Sequence, residues 1–110
     1  MSQMTRPDVN SSAVTRLHTL SHSPYCTDMD AIVRCVADQD ALLLLQDGVI
    51  AALKQGGVVE RLLATGVPVY VLREDVEARG LLEQISASIQ LVDYTQFVRL
   101  TAQHAAQLAW

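Results

Sequence analysis

The sequence contains an uninterrupted apolar run that is four-fifths leucine, residues 41–45, and Gln46-Asp47-Gly48 follows it directly. A short apolar run without polar alternation is typical of a strand that is covered on both faces, as in the parallel sheets of α/β proteins. We therefore predict a central strand over residues 41–46. Asp47-Gly48 is then either an ordinary turn pair or a place where a carboxylate projects from the carboxyl edge of the sheet.

Strand-like and helix-like segments alternate on both sides of this run. The predicted strands cover residues 17–21, 41–46, 67–72 and 89–92. The predicted helices cover residues 28–38, 49–54, 58–64, 74–79 and 94–104, with Gly56-Gly57 as a break between the second and the third. This order predicts an α/β fold with three layers, in which helices pack on both faces of a mainly parallel sheet.

Length and composition predict one domain. The chain has 110 residues, of which 50% are hydrophobic and 18% charged, so it can build a core without disulfides or metals. We divide it into residues 1–16, a polar extension that we expect to be disordered or non-native, and a folded domain over residues 17–110. The formal charge of −4 disfavours direct binding of nucleic acid. No segment is typical of a signal peptide or a membrane span, so we expect a cytoplasmic protein.

Cys26 and Cys35 are the two cysteines, and both are expected to be reduced thiols. Along a helix they lie about 13 Å apart, too far for a disulfide. Cys26 precedes the first predicted helix, where amide dipoles favour a reactive thiolate, and Cys35 lies on the flank of the apolar stripe of that helix. Each is a candidate sulfur carrier, against the simpler reading of a semi-buried cysteine without a redox role.

Other polar groups gather around the predicted loops. His18, His22 and nearby hydroxyls lie between the first strand and the first helix, where they form either a small-anion site or an ordinary capping turn. The charged turn Glu74, Asp75 and Glu77 is predicted to be the solvated start of a helix. His104 is predicted to be a cation at a helix carboxyl terminus. The sequence has no nucleophile elbow, no paired-cysteine motif and no HExxH, so we predict no metal and no cofactor.

Several segments together resemble the TusB/DsrH family, within the DsrE/DsrF/DsrH-like superfamily. They are Leu17-His18-Thr19-Leu20, Ser23-Pro24, Leu43-Leu44-Leu45-Gln46-Asp47-Gly48-Val49, Val69-Tyr70-Val71-Leu72, Asp75, Ala78-Arg79-Gly80 and Asp93-Tyr94-Thr95-Gln96-Phe97-Val98. The resemblance runs from Leu17 to Trp110 and does not explain the residues before it.

The resemblance implies a DsrE-like fold and a subunit that is not catalytic alone. It implies assembly with TusC-like and TusD-like subunits as a dimer of heterotrimers, a heterohexamer. Such a complex relays persulfide sulfur from a TusA-like protein to a TusE-like protein, toward 2-thiouridine at the wobble position of tRNA. In this family picture the TusD-like subunit carries the sulfur, and we expect Tyr94, Phe97 and Trp110 to contribute to the subunit interfaces.

Two alternatives remain. Cys35 matches a position where DsrH-like members carry a cysteine, so the chain is alternatively a persulfide carrier in sulfur transfer or sulfur oxidation, with Cys26 as the weaker candidate. A third reading is a small-ligand module that uses the loop over residues 21–27, although that loop lacks a glycine fingerprint.

Overall fold

The apolar run forms the second strand of a five-stranded parallel sheet. A computed structural model of the protein describes residues 15–110. The strands are β1 (Arg16–Leu20), β2 (Ala41–Leu44), β3 (Val69–Leu72), β4 (Gln90–Val92) and β5 (Ala106–Ala109). Their order across the sheet is β4-β3-β2-β1-β5, and every neighbouring pair is parallel.

Helices connect the strands, as parallel pairing requires. They are α1 (Met29–Cys35), α2 (Val58–Leu63), α3 (Arg73–Ala78) and α4 (Tyr94–Gln103), with 3-10 segments at Pro24–Cys26, Gln46–Ala52 and Leu82–Gln84. The predicted break at Gly56-Gly57 is confirmed, since both glycines have positive φ angles of 106° and 81°. None of the helices in residues 15–110 is long and apolar enough to cross a membrane.

The predicted α/β fold with a parallel sheet and helices on both faces is confirmed, and several details of the prediction were wrong. The sequence predicted four strands, but β5 adds a fifth beside β1. Residues 49–52 of the predicted helix 49–54 instead belong to the 3-10 segment Gln46–Ala52, and Leu53 is extended. The first helix ends at Cys35 rather than at residue 38, because Val36 is extended and the Ala37 amide donates to the Asp40 carboxylate at 3.0 Å.

The predicted extension over residues 1–16 lies outside the described residues, apart from Thr15 and Arg16. Arg16 is the first residue of β1, so the strand begins one residue earlier than predicted.

The sheet has a large and a small core, one on each face. The large core contains Leu20, Leu42 and Leu44 from the strands, together with residues of α1, α2, α3 and the 3-10 segment Gln46–Ala52. The small core contains Leu17 and Leu43, and α4 is the helix that covers it, through Leu100 and Phe97. Strand residues thus alternate between the two faces. Within residues 15–110, α4 is the one helix that covers the second face, so the two faces of the sheet are covered unevenly.

Candidate functional site

The carboxyl ends of the strands meet at one edge of the sheet, where the predicted Asp47-Gly48 corner lies. Asp47 is exposed, as predicted, and accepts a hydrogen bond from the Arg79 guanidinium at 2.9 Å. Gly48 is buried, and a Cβ added there would lie 2.0 Å from the Leu20 carbonyl oxygen. The glycine is therefore required by the close approach of this backbone to β1, which goes beyond a simple turn.

The charged turn at the start of α3 is only partly solvated, which corrects the prediction. Asp75 accepts a hydrogen bond from the Gln46 amide at 2.6 Å, and Glu74 accepts one from the Tyr94 amide at 3.4 Å. The other carboxylate oxygen of Glu74 is buried without a partner among residues 15–110. Glu77 alone matches the prediction, since it is exposed and paired with Arg73. The acidic turn therefore links the ends of β2, β3 and β4.

The loop after β1 is a capping turn, and its two histidines do not form a joint anion site. Ser23 accepts a hydrogen bond from the Tyr25 amide at 3.2 Å, and Asp28 caps α1 by accepting one from the Ala31 amide at 3.1 Å. His22 is exposed, with its Nδ1 3.1 Å from the main-chain oxygen of Trp110. His18 is fully buried within the sheet. The small-anion hypothesis therefore loses one of its two histidines.

Cys26 and Cys35 are both free and exposed. Cys26 ends the 3-10 segment beside the amino terminus of α1, whereas Cys35 is the last residue of that helix. Since α1 runs antiparallel to the strands, the two thiols lie near opposite edges of the sheet. Among residues 15–110, neither thiol has a hydrogen bond to a basic side chain, although both are accessible to a reagent.

A buried network that the sequence did not predict joins β1, the residue before β2 and the carboxyl end of β5. His18 Nε2 lies 2.8 Å from Asp40 Oδ2, and Trp110 Nε1 lies 3.1 Å from His18 Nδ1. Because an indole can only donate, Nδ1 is the acceptor and Nε2 carries the proton that is donated to Asp40. The imidazole is thereby held in one tautomer with both nitrogens engaged.

Asp40 is the anionic end of this network. Burial raises the pKa of its carboxyl group, but hydrogen bonds from the Ala37 amide, the His18 ring and the Arg16 amide lower it by more. The pKa of Asp40 therefore lies below its ordinary value of 3.8. No hydroxyl or thiol side chain of residues 15–110 is hydrogen-bonded to this pair, so it lacks the nucleophile of a catalytic triad. A lone aspartate directly before an apolar strand was the one available sequence signal.

The outer surface of α4, near the small core, carries two exposed apolar side chains. Tyr94 and Val98 are 55% and 63% exposed and stand one turn apart on one flank of the helix. Phe97 is half-buried against the small core. Gln107 of β5 reaches α4 on this side, where its amide donates to the Thr101 carbonyl oxygen at 2.9 Å.

Comparison with known proteins shows which family the chain belongs to. The family model described as DsrH like protein matches residues 22–107. The chain belongs to the DsrH-like family. Protein TusB of Pectobacterium parmentieri is 60% identical over 94 residues, which cover 86% of this chain and 99% of that protein. Protein TusB of Yersinia pestis, strain Pestoides F, is 51% identical over the same shares of the two chains. These relatives support a role in sulfur relay.

Solved structures agree on the architecture of this DsrH-like chain. The ychN protein from E. coli has a TM-score of 0.72 at 17% identity, and the match covers 89% of this chain and 100% of that one. Protein MTH1491 from Methanobacterium thermoautotrophicum has a TM-score of 0.71 at 14% identity, with the same coverage. At these identities the likeness concerns the fold alone.

The three residues of this DsrH-like chain that were predicted to contribute to interfaces have different surroundings. Tyr94 is exposed and Phe97 is half-buried, whereas the Trp110 ring is half-buried and hydrogen-bonded to His18. Val98, which the prediction did not include, is more exposed than Tyr94. A role of these residues in binding partners remains a prediction.

Proposed function

We propose that this protein is a non-catalytic interaction subunit of a sulfur-relay complex. It assembles with TusC-like and TusD-like subunits as a dimer of heterotrimers and supports persulfide transfer toward 2-thiouridine at the tRNA wobble position. The observation that carries the proposal is the apolar flank of α4, on the sheet face that one helix covers. Exposed aromatic and branched side chains of this kind are typical anchors of protein interfaces.

The chemistry of the described residues supports the same role. The buried His18–Asp40 pair is closed by Trp110 and has no nucleophile beside it. Asp47, Asp75 and one oxygen of Glu74 accept hydrogen bonds from an arginine or from main-chain amides, which stabilises the loops at the carboxyl edge. The hydrogen bond from the Tyr94 amide to Glu74 is the one of these contacts that reaches α4.

The test is the affinity of the full chain for its TusC-like and TusD-like partners. Tyr94→Ser or Val98→Ser removes an exposed apolar side chain, so we expect the affinity to fall by about tenfold while the free energy of unfolding stays unchanged. Tyr25→Ser is the matched control, because Tyr25 is 74% exposed but lies in the β1–α1 loop. Wild-type affinity for both α4 variants would argue against this surface.

A second function is favoured by the exposure of Cys35. Its thiolate would attack the outer sulfur of a donor persulfide, forming a new S–S bond while the donor S–S bond breaks and the donor thiolate leaves. Intact mass spectrometry after exposure to a persulfide donor tests this directly. A gain of about 32 Da that disappears in Cys35→Ser but persists in Cys26→Ser supports a sulfur carrier. No gain on the wild-type chain, beside a TusD-like subunit that does load, removes the hypothesis.

A further inference from the structure

A polar groove lies on the opposite flank of α4 from Tyr94 and Val98. It has a volume of about 200 Å³ and is lined by Tyr70, Gln90, Val92, Gln96, Arg99, Leu100 and Gln103. Its walls are the β3–β4 half of the sheet and one side of α4. Because α4 is the one helix on this face, no helix of residues 15–110 closes the groove from above.

Helix periodicity explains why the two flanks of α4 differ. Gln96, Arg99 and Gln103 follow one another at spacings of three and four residues, so they form one row along the helix. Tyr94 and Val98 form a separate row on the other side of the buried Leu100 and the half-buried Phe97. The polar row therefore faces β3 and β4, and the groove is a surface distinct from the apolar flank.

The groove is rich in donors and contains no carboxylate. Three primary amides, one phenol and one guanidinium line it, above the apolar side chains of Val92 and Leu100. Arg61, Arg73 and Arg79 each form an ion pair with a carboxylate of this chain. Arg99 forms none within residues 15–110, although the chain as a whole has a net charge of −4. The groove thus presents an uncompensated positive charge beside neutral donors.

We propose that this groove receives an aspartate or glutamate side chain of a partner subunit, with Arg99 as its ion-pair partner. A carboxylate is acceptor-only, so it matches the guanidinium fork and the neighbouring amide N–H groups. A volume of about 200 Å³ suits one acidic side chain, since drug-sized ligands need about 300 Å³ or more. The inference rests on the proposed function, because the carboxylate belongs to a subunit of the same complex.

The edge position of β4 favours a polypeptide as the source of this carboxylate. Within residues 15–110 no strand pairs with the outer side of β4, so an extended partner segment can approach beside Gln90. A nucleic acid fits less well, because its affinity depends on several clustered cations and the groove holds one.

The experiment measures the affinity of the full chain for its TusC-like and TusD-like partners at low and high salt. Arg99→Gln removes the charge and leaves a donor, so we expect binding at low salt to weaken by about tenfold or more and to depend less on salt. Arg34→Gln is the matched control: it removes an exposed arginine from α1, on the other sheet face, and should leave the affinity unchanged. Arg99→Lys, which retains the charge without the fork, should bind with intermediate affinity.

The outcomes separate this inference from the proposed function. If Arg99→Gln binds like the wild type while Tyr94→Ser binds weakly, the groove is not part of the interface but the proposed function stands. If the wild-type chain binds neither partner, both fail. The strongest support is a partner Asp→Lys or Glu→Lys change that restores binding to Arg99→Glu. An effect of Arg99→Gln on tRNA binding, with subunit affinity unchanged, would overturn the carboxylate assignment.

Discussion

Asp40 is the residue on which the buried network depends, because it receives hydrogen bonds from two amides and from His18. Removing one partner of a buried charged hydrogen bond is costly, so we expect Asp40→Asn to lower the free energy of unfolding by about 2 to 4 kcal/mol at neutral pH. Denaturant titration measures this, with the exposed Asp38→Asn as a control of nearly unchanged stability. If both variants were equally stable, the stabilising role of the hydrogen bonds to Asp40 would be contradicted.

The same residue gives a pH dependence with a defined sign. The pKa of Asp40 is lower in the folded protein than its ordinary value of 3.8, so the folded state releases this proton more readily than the unfolded state. The stabilisation is therefore complete above about pH 4 and is lost as the pH falls through the folded-state pKa. We expect the difference in stability between wild type and Asp40→Asn to narrow in acid. A difference that is constant down to about pH 2 would contradict this assignment.

Trp110 donates a hydrogen bond to the other side of the His18 ring. Trp110→Phe keeps an aromatic ring but removes the Nε1–H donor, leaving His18 Nδ1 without its partner. We expect a loss of about 1 to 3 kcal/mol in the free energy of unfolding, which chemical denaturation measures. The network also accounts for what sequence reasoning missed at this scale. His18 and Asp40 are 22 positions apart in the sequence, and His18 and Trp110 are 92 positions apart, so neither pair leaves a local sequence pattern.

The contact between β1 and the 3-10 segment Gln46–Ala52 is the sharpest constraint at the level of elements. An alanine Cβ at position 48 would lie 2.0 Å from the Leu20 carbonyl oxygen, so one of the two backbones must move. We expect Gly48→Ala to lower the free energy of unfolding by about 3 kcal/mol. Gly66→Ala is the comparison: position 66 has a φ of 81° but open space, so its loss should be near 1 kcal/mol. If Gly66→Ala lowered the thermal unfolding temperature more than Gly48→Ala did, the steric argument would be contradicted.

Elements with a strong local pattern were predictable, and those set by tertiary contacts were not. The predicted last helix agrees with α4 to within one residue, because Asp93 and Gln96 form a capping box. The segment Ala106–Ala109 contains no β-branched or aromatic residue, so β5 has no strand signal of its own and exists through its pairing with β1. For the candidate site, the projection of Asp47 at the carboxyl edge was predictable. The sequence favoured semi-buried cysteines, whereas both thiols are exposed, and the groove depends on where α4 lies across the sheet.

At the scale of the whole molecule, the two faces of the sheet are covered unevenly within residues 15–110, with α4 alone on the second face. Surplus apolar surface on α4 should make the isolated chain self-associate at high concentration. Sedimentation velocity measures this, and Tyr94→Ser should shift the chain toward the monomer. If the wild-type chain stayed monomeric at all concentrations and also failed to bind its partners, the result would argue against an interaction subunit.

The central claim is that the chain supports sulfur relay without carrying sulfur. The most direct measurement is the rate of sulfur transfer by the reconstituted complex that contains the Cys26→Ser, Cys35→Ser double variant of this subunit. We expect this complex to transfer sulfur at the wild-type rate. We expect a reduced rate when the subunit carries both Tyr94→Ser and Val98→Ser and is supplied at a concentration that limits assembly. Loss of transfer in the double cysteine variant, with assembly intact, would contradict the claim and make the chain a sulfur carrier.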